Sequence, residues 1–446
     1  MKKFFETLSN IWKIEELKSR VLVTLGLLLV YRFGTRVVLP GVDTSQLAQL
    51  SSNTSDGILG ILNAFTGGAF SNASVFALGI MPYISASIVV QLMGIAIPYL
   101  QKLQKEGESG RKTINQITRW LTIGICIVQA PAYLYSLGAL GVPESAFLLG
   151  KGLDFIIPSV VILVTGCVFA MWLGEKITDK GIGNGISLLI MVGILANMPQ
   201  AFAQEVQSRL DGTGGLMLIL VEVILWFVVI LASVLLVMAT RQIPVQYARR
   251  TASGGYEKNV MGSRQYIPLK LNASGVMPII FAQAIMFAPG LLGKTFNTTA
   301  VGQWMEVQFQ DPFGLAYNVL FALLIIIFTY FYTAITVPTN KMADDLKRSG
   351  GFIPGVRPGK ETGDFLDKIM SLITFPGSLF LALLAVLPAL AMKLVGIQAN
   401  WAMFYGGTSL LIMVGVAIDT VQQVNSYLLN RHYDGLMKTG KNRKVA

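Results

Sequence analysis

Gly57 to Met93 reads GILGILNAFTGGAFSNASVFALGIMPYISASIVVQLM, and the fold turns on how this stretch meets a membrane. Its first apolar piece, Gly57 to Thr66, reaches only about 15 Å as a helix, half of a hydrocarbon core of about 30 Å. That piece is too short to span. A Gly67-Gly68 break and the polar turn Ser71-Asn72-Ala73-Ser74 follow, and Val75 to Ile97 then has the length of a spanning helix interrupted by Pro82. Irregular backbone at membrane depth survives only where protein covers it or water reaches it, so a half-helix feeding a broken helix points to a cavity or pore. The same spacing also fits an outer loop carrying a short surface helix, and spacing alone leaves both open.

The rest of the chain supplies the membrane. Of its 446 residues 53% are hydrophobic and 13% charged, with a mean hydropathy of +0.61. Soluble domains carry about 25% charged residues, so the composition is that of an integral membrane protein. Two cysteines, Cys126 and Cys167, lie inside apolar runs, and His432 is the single histidine. That inventory supplies no disulfide framework, zinc cluster or histidine-based triad, so neither a metal nor any other cofactor is expected. No Gly-x-x-x-x-Gly-Lys-Ser/Thr loop occurs, and the chain reads as a non-enzyme whose driving force comes from a partner. The basic, amphipathic segment 1–20 reads as a retained cytosolic surface helix and not as a cleaved signal.

Ten apolar runs are long enough to span: Val21–Val38, Val75–Ile97, Trp120–Leu137, Phe155–Leu173, Ile182–Phe202, Leu216–Ala239, Val276–Leu292, Leu315–Val337, Ile369–Val395 and Trp401–Val424. Lys and Arg test this count. Assigned to alternate sides, 29 of the 35 basic residues collect on one side, which the positive-inside rule makes cytosolic and which holds both termini. Two cytosolic connections, 240–271 and 338–368, are long, basic and rich in Gly and Pro. Topology alone accounts for most basic loops, yet these exceed what connection needs and suit docking of a large partner, including one that carries RNA phosphate.

The expected architecture is all-α and polytopic, with ten transmembrane helices in two pseudo-symmetric five-helix halves. An odd number of spans per half makes any duplication inverted. The boundaries are a cytosolic helix over 1–20, an N-terminal half over 21–211, a C-terminal half over 212–427 and a cytosolic tail over 428–446. Charge inside the spans is scarce: Arg32 and Arg36 near the outer end of the first, Glu222 in the sixth, Asp419 in the tenth. A mid-membrane zone of isoleucine, leucine and glycine suits a pore closed by apolar side chains better than an ion-coupled carrier with a polar site. An inverted-repeat carrier for a small solute and a non-conducting membrane scaffold are the competing classes.

Five motifs in order resemble the SecY family, the channel subunit of the bacterial Sec translocon: Phe76-Ala-Leu-Gly-Ile-Met-Pro-Tyr-Ile-Ser-Ala-Ser, Lys105-Glu-Gly-Glu-Ser-Gly-Arg, Gly181-Ile-Gly-Asn-Gly-Ile-Ser, Ile353-Pro-Gly-Val-Arg-Pro-Gly and Gly406-Gly-Thr-Ser-Leu-Leu-Ile. The resemblance runs from the first span to the tenth. It implies a channel that conducts unfolded secretory polypeptides across the bacterial inner membrane and releases membrane segments sideways into lipid. It places a plug at about 57–68, with Gly57, Ile58, Leu59, Ile61, Leu62, Phe65, Gly67 and Gly68. It places a pore ring at Ile80, Ile84, Ile186, Ile190, Ile280 and Ile412, each of which taken singly also fits ordinary packing.

The same resemblance makes Gln91 and Asn272 members of a lateral gate, for which interhelical hydrogen bonding is the plainer alternative. Arg249, Arg250 and Arg357 become docking residues for the motor ATPase SecA or the ribosome. The implied partners are SecE and SecG, SecA, the ribosome, signal sequences and nascent polypeptides, SecD/SecF, YidC and membrane lipids. Two segments, 251–263 and 294–311, depart from the family pattern, and no contact is carried over to them.

Overall fold

The computed structural model describes residues 14–43, 65–139, 152–212, 215–247, 264–295, 300–309 and 311–442, with residues 12, 60, 63, 146, 147 and 150 between them. The helices in chain order are α1 (Glu15–Gly34), α2 (Met81–Ala96), α3 (Pro98–Lys105), α4 (Glu108–Ala139), α5 (Leu153–Lys180), α6 (Gly185–Leu210), α7 (Gly215–Met238), α8 (Met277–Thr295), α9 (Ala300–Phe309), α10 (Leu315–Thr336), α11 (Thr339–Arg348), α12 (Lys360–Val395), α13 (Ala399–Ala402) and α14 (Gly407–Asn442). Three strands join them: β1 (Thr240–Tyr247), β2 (Arg264–Lys270) and β3 (Gly351–Phe352). Seven described helices are long and apolar enough to cross a membrane, and the bent pair α2–α3 makes an eighth. Each of the ten expected apolar runs overlaps a described helix, the first sharing α1 with charged Glu15, Glu16, Lys18 and Arg20.

The second run differs from its expectation. Pro82 opens α2 instead of interrupting a longer helix, because a missing N–H costs nothing in the first turn. Before it, residues 66–80 are a chain of turns. Their backbone is satisfied by neighbours: Leu39 N donates to the Ala73 carbonyl and Val75 N to the Val37 carbonyl, each at 2.9 Å. The helix ends as Ile97 adopts an extended conformation ahead of Pro98, and the axis bends by 102° into α3.

The chain forms two compact units, the first comprising Met1–Leu216, Ile397–Phe404 and Val416–Ala446, the second Met217–Gly396 and Tyr405–Gly415. Within the first unit, Leu39, Phe70, Tyr133, Leu137, Phe155 and Leu163 form an apolar core under the turns. At one end of it Arg20 stacks on Tyr427 and Gly183 N donates to Gln423 Oε1 at 2.8 Å, so the beginning of α1, the α5–α6 turn and the late part of α14 share a side. At the other end the Gln398 N–H donates to Glu205 Oε2 at 3.0 Å and Trp401 packs on Phe202. These are the two sides that charge alternation assigns to the same segments.

Within the second unit, the long connections 240–271 and 338–368 fold together. β1 pairs antiparallel with β2 and, at Gln246↔Phe352 and Tyr247↔Gly351, with β3. Alternation explains the pairing: Ile243 and Val245 point inward, Gln242 and Pro244 outward. Pro268 sits on the edge strand, and Pro244 lies beyond the part of β1 that β3 pairs, so neither proline removes a needed donor. Ile243, Val245, Leu269, Leu346, Leu366 and Met370 then close a small core against α11 and the start of α12.

Candidate functional site

The turns over 66–80 begin with two consecutive glycines in the left-handed region, Gly67 (φ 66°) and Gly68 (φ 86°), a conformation that side-chain-bearing residues rarely adopt. Arg32, in the last turn of α1, donates from Nη1 to the Gly67 carbonyl at 2.8 Å. A methyl group built on Gly67 would stand 2.9 Å from that guanidinium and 2.9 Å from the Cα of Gly193 on α6, so the turn is seated backbone to backbone. Tyr133 of α4 donates its hydroxyl to the Phe70 carbonyl at 2.8 Å. Of the expected plug residues, Gly57, Ile58, Leu59, Ile61 and Leu62 lie outside the described residues; Phe65 is buried and leads into the glycine pair.

The six isoleucines occupy definite helical positions. Ile80 precedes α2 and its carbonyl accepts from Ile84 N at 3.0 Å, so this pair shares one helical face. Ile186 and Ile190 repeat the spacing in the first turns of α6. Asn184 starts that helix by accepting from Ile186 N and Ser187 N at 3.2 and 3.3 Å. Ile186 packs its Cγ1 toward Gly174 of α5. In the second unit, Thr408 donates to Gln283 Oε1 at 3.4 Å, and a methyl built on Gly415 would meet Val276 at 3.1 Å. These two contacts set α14 antiparallel to α8, in a register that brings Ile412 level with Ile279 and Ile280. Ile80, Ile190 and Ile412 are buried; Ile84, Ile186 and Ile280 are half-buried.

The glycines of Gly181-Ile-Gly-Asn-Gly are explained by packing. Ile182 N donates to Thr24 Oγ1 and Gly185 N to Thr178 Oγ1, and a side chain at Gly185 would collide with the Gly174 carbonyl. Gln91 donates to Ser87 Oγ at 3.1 Å, and Asn272 accepts from Ser274 Oγ at 3.1 Å, so each has a partner close in sequence.

Arg357 is 87% exposed in the turn between β3 and α12, with only a long 3.8 Å ion pair to Glu361. Its carbonyl accepts from Thr362 Oγ1 at 2.8 Å, which pins the turn while leaving the guanidinium in water. Arg249 and Arg250 lie outside the described residues. Residue reasoning missed the β-sheet that mounts this turn. Its signal was present in the alternation of Gln242-Ile-Pro-Val-Gln-Tyr, though two prolines argue against strand when read alone.

A sequence profile of the SecY family matches residues 74–421. The chain belongs to the SecY family. It is 38% identical to the protein translocase subunit SecY of Streptomyces scabiei over 435 residues, covering 96% of this chain and 98% of that protein. Among solved structures it resembles one of a SecY whose plug domain is described as stabilising the closed state of the translocation channel and maintaining a membrane seal, with a TM-score of 0.59, 19% identity and 92% of each chain covered. It also resembles Sec61 in the canine ribosome-channel complex from the endoplasmic reticulum, with a TM-score of 0.54, 16% identity and 92% of each chain covered. As a SecY-family chain it is a multi-pass membrane protein and a translocase subunit, not an enzyme.

Proposed function

We propose that this chain is the channel-forming subunit of a bacterial inner-membrane protein translocase, conducting unfolded polypeptides across the bilayer and passing apolar segments sideways into it. The observation that carries this reading is the family match over nearly the whole length of both proteins. The physical demand on such a channel is to admit varied side chains and still block ions at rest. Ile80, Ile84, Ile186, Ile190, Ile280 and Ile412 are assigned to that barrier: a narrow apolar ring dewets when empty and offers a passing chain no fixed charge. The stretch around 57–68 is assigned to the plug beside it, and Gln91 and Asn272 to a lateral gate.

The likeness to a ribosome-bound channel supports a ribosome or another large cytosolic partner at the basic connections. Arg249, Arg250 and Arg357 are the residues assigned to that docking. SecE, SecG and SecA are the expected companions, with SecD/SecF and YidC at later steps, and both termini lie on the cytosolic side. The deciding experiment reconstitutes the chain with SecE and SecG in proteoliposomes and supplies SecA, ATP and a signal-bearing precursor. Protease-protected precursor inside the vesicles is the expected result. Counterflow of a small solute without any ATPase, and no protected precursor, overturns the reading.

A further inference from the structure

The turns from Phe65 to Ile80 are fastened to their surroundings in two different ways. Beyond Gly68 the attachments are backbone bonds and one buried hydroxyl: Leu39 N to the Ala73 carbonyl, Val75 N to the Val37 carbonyl, and Tyr133 to the Phe70 carbonyl. Phe70 also stacks edge-on with Tyr133, with ring centroids 4.9 Å apart. At Gly67 the side chain that fastens the turn among the described residues is Arg32, reaching across 35 positions of sequence to the carbonyl at 2.8 Å, with Gly193 as the wall behind it.

A guanidinium inside an apolar span is costly unless its donors are used, and here it spends them on the Gly67 carbonyl and on Thr35 Oγ1, 3.4 Å away. We propose that Arg32 is a positioning residue, a latch whose bond to the Gly67 carbonyl keeps Phe65, Thr66 and Gly67 seated on Gly193 in the resting channel. Releasing that bond frees this part of the turn, while Phe70 to Ile80 stays fastened to the segment that follows α1 and to α4. The inference rests on the reading of this stretch as the channel's seal and adds to it the group that sets whether the seal is seated.

The test uses the assembled complex in native membranes, with Cys126→Ala and Cys167→Ala as background and Phe65→Cys as the reporter. Phe65 is 8% exposed in the seated turn, so its replacement reacts slowly with a water-soluble maleimide applied to membrane sheets open on both faces. Arg32→Gln raises the labelling rate about 10-fold, the factor that a charge-assisted hydrogen bond of ordinary strength supplies, and raises resting ion conductance with it. Arg36→Gln, the same change of charge one turn further on, leaves both unchanged.

A second variant avoids reliance on Arg32 alone. A methyl at Gly193 would lie 2.8 Å from the Phe65 carbonyl, so Gly193→Ala wedges the turn away with the arginine intact and speeds labelling as well. Wild-type labelling and conductance in both variants overturn the latch. The seal reading is tested apart from it by removing residues 57–66: a leak upholds that reading whatever Arg32 does, and no leak sinks it. A leaky deletion together with silent Arg32 and Gly193 variants overturns the latch alone.

Discussion

Single residues in this protein divide into those that hold backbone and those that present side chains. Asn184, Thr24 and Tyr133 belong to the first kind: each satisfies a named N–H or C=O, at a helix start or in a turn, that the helices leave unpaired. The isoleucines assigned to the ring and Arg357 belong to the second. Ile190 is 6% exposed, one helical turn after Ile186, so Ile190→Gly removes a branched side chain from the assigned constriction and lets water persist there. Planar-bilayer recording is expected to show a several-fold rise in resting ion leak; a silent bilayer removes Ile190 from the ring. Arg357→Glu reverses a charge that is almost fully in water and weakly paired, so folding is untouched. Export driven by SecA is expected to fall by at least about 10-fold, the factor that losing a charge-assisted contact supplies, with the protein still inserted at normal abundance. Normal export in vitro would take Arg357 out of the docking surface.

At the scale of elements, the β-sheet decides what the two basic connections are. As separate loops they would be flexible tethers; paired through Gln246↔Phe352 they become one platform that presents the Arg357 turn at a fixed place. The platform depends on a few apolar side chains, Val245 among them at 0% exposure. Val245→Asp buries a carboxylate with no designed partner and is expected to cost about 3 kcal/mol or more, enough to open so small a core. Limited trypsin digestion should then cut both connections rapidly while resting conductance stays at its normal level, because no residue of the sheet is among those assigned to the barrier. Unchanged digestion would mean that the strands contribute little to holding the connections. The bend at Ile97 and the start of α2 at Pro82 show the same rule: proline acts by position, ending or opening helices according to which N–H it removes.

For the whole molecule, two independent observations place the basic connections together. Charge alternation places 240–271 and 338–368 on one side of the membrane, and the strands of one sheet require it independently, since chain segments that pair cannot lie on opposite faces of a bilayer. Single cysteines placed in 251–263 and in 338–368 should therefore react with an impermeant thiol reagent from the same face, and cysteines in 294–311 from the opposite one. A shared face for all three would break the span count. The compact units also depart from a division at the chain's midpoint, because Ile397–Phe404 and Val416–Ala446 pack with the N-terminal unit. A duplicated five-span plan is a statement about descent and helix order, whereas packing follows contacts such as Gln398 with Glu205 and Gly183 with Gln423.

What the amino-acid order determined by itself was whatever depends on local sums: the membrane class, the positions of the apolar runs, the glycine break at 67–68, and the five motifs that resemble one family. Hydropathy and positive charge act residue by residue on transfer into a bilayer, so they can be read off one chain. Only the tertiary structure decided that residues 66–80 are turns hung on the segment after α1 and on α4, that two distant connections share a sheet, that Ile412 comes level with Ile280, and that Arg32 reaches the Gly67 carbonyl. Each of these joins groups far apart in sequence through a bond or a close approach, and the free energy of such a contact is set by the partner that folding brings to it, which no local sum contains.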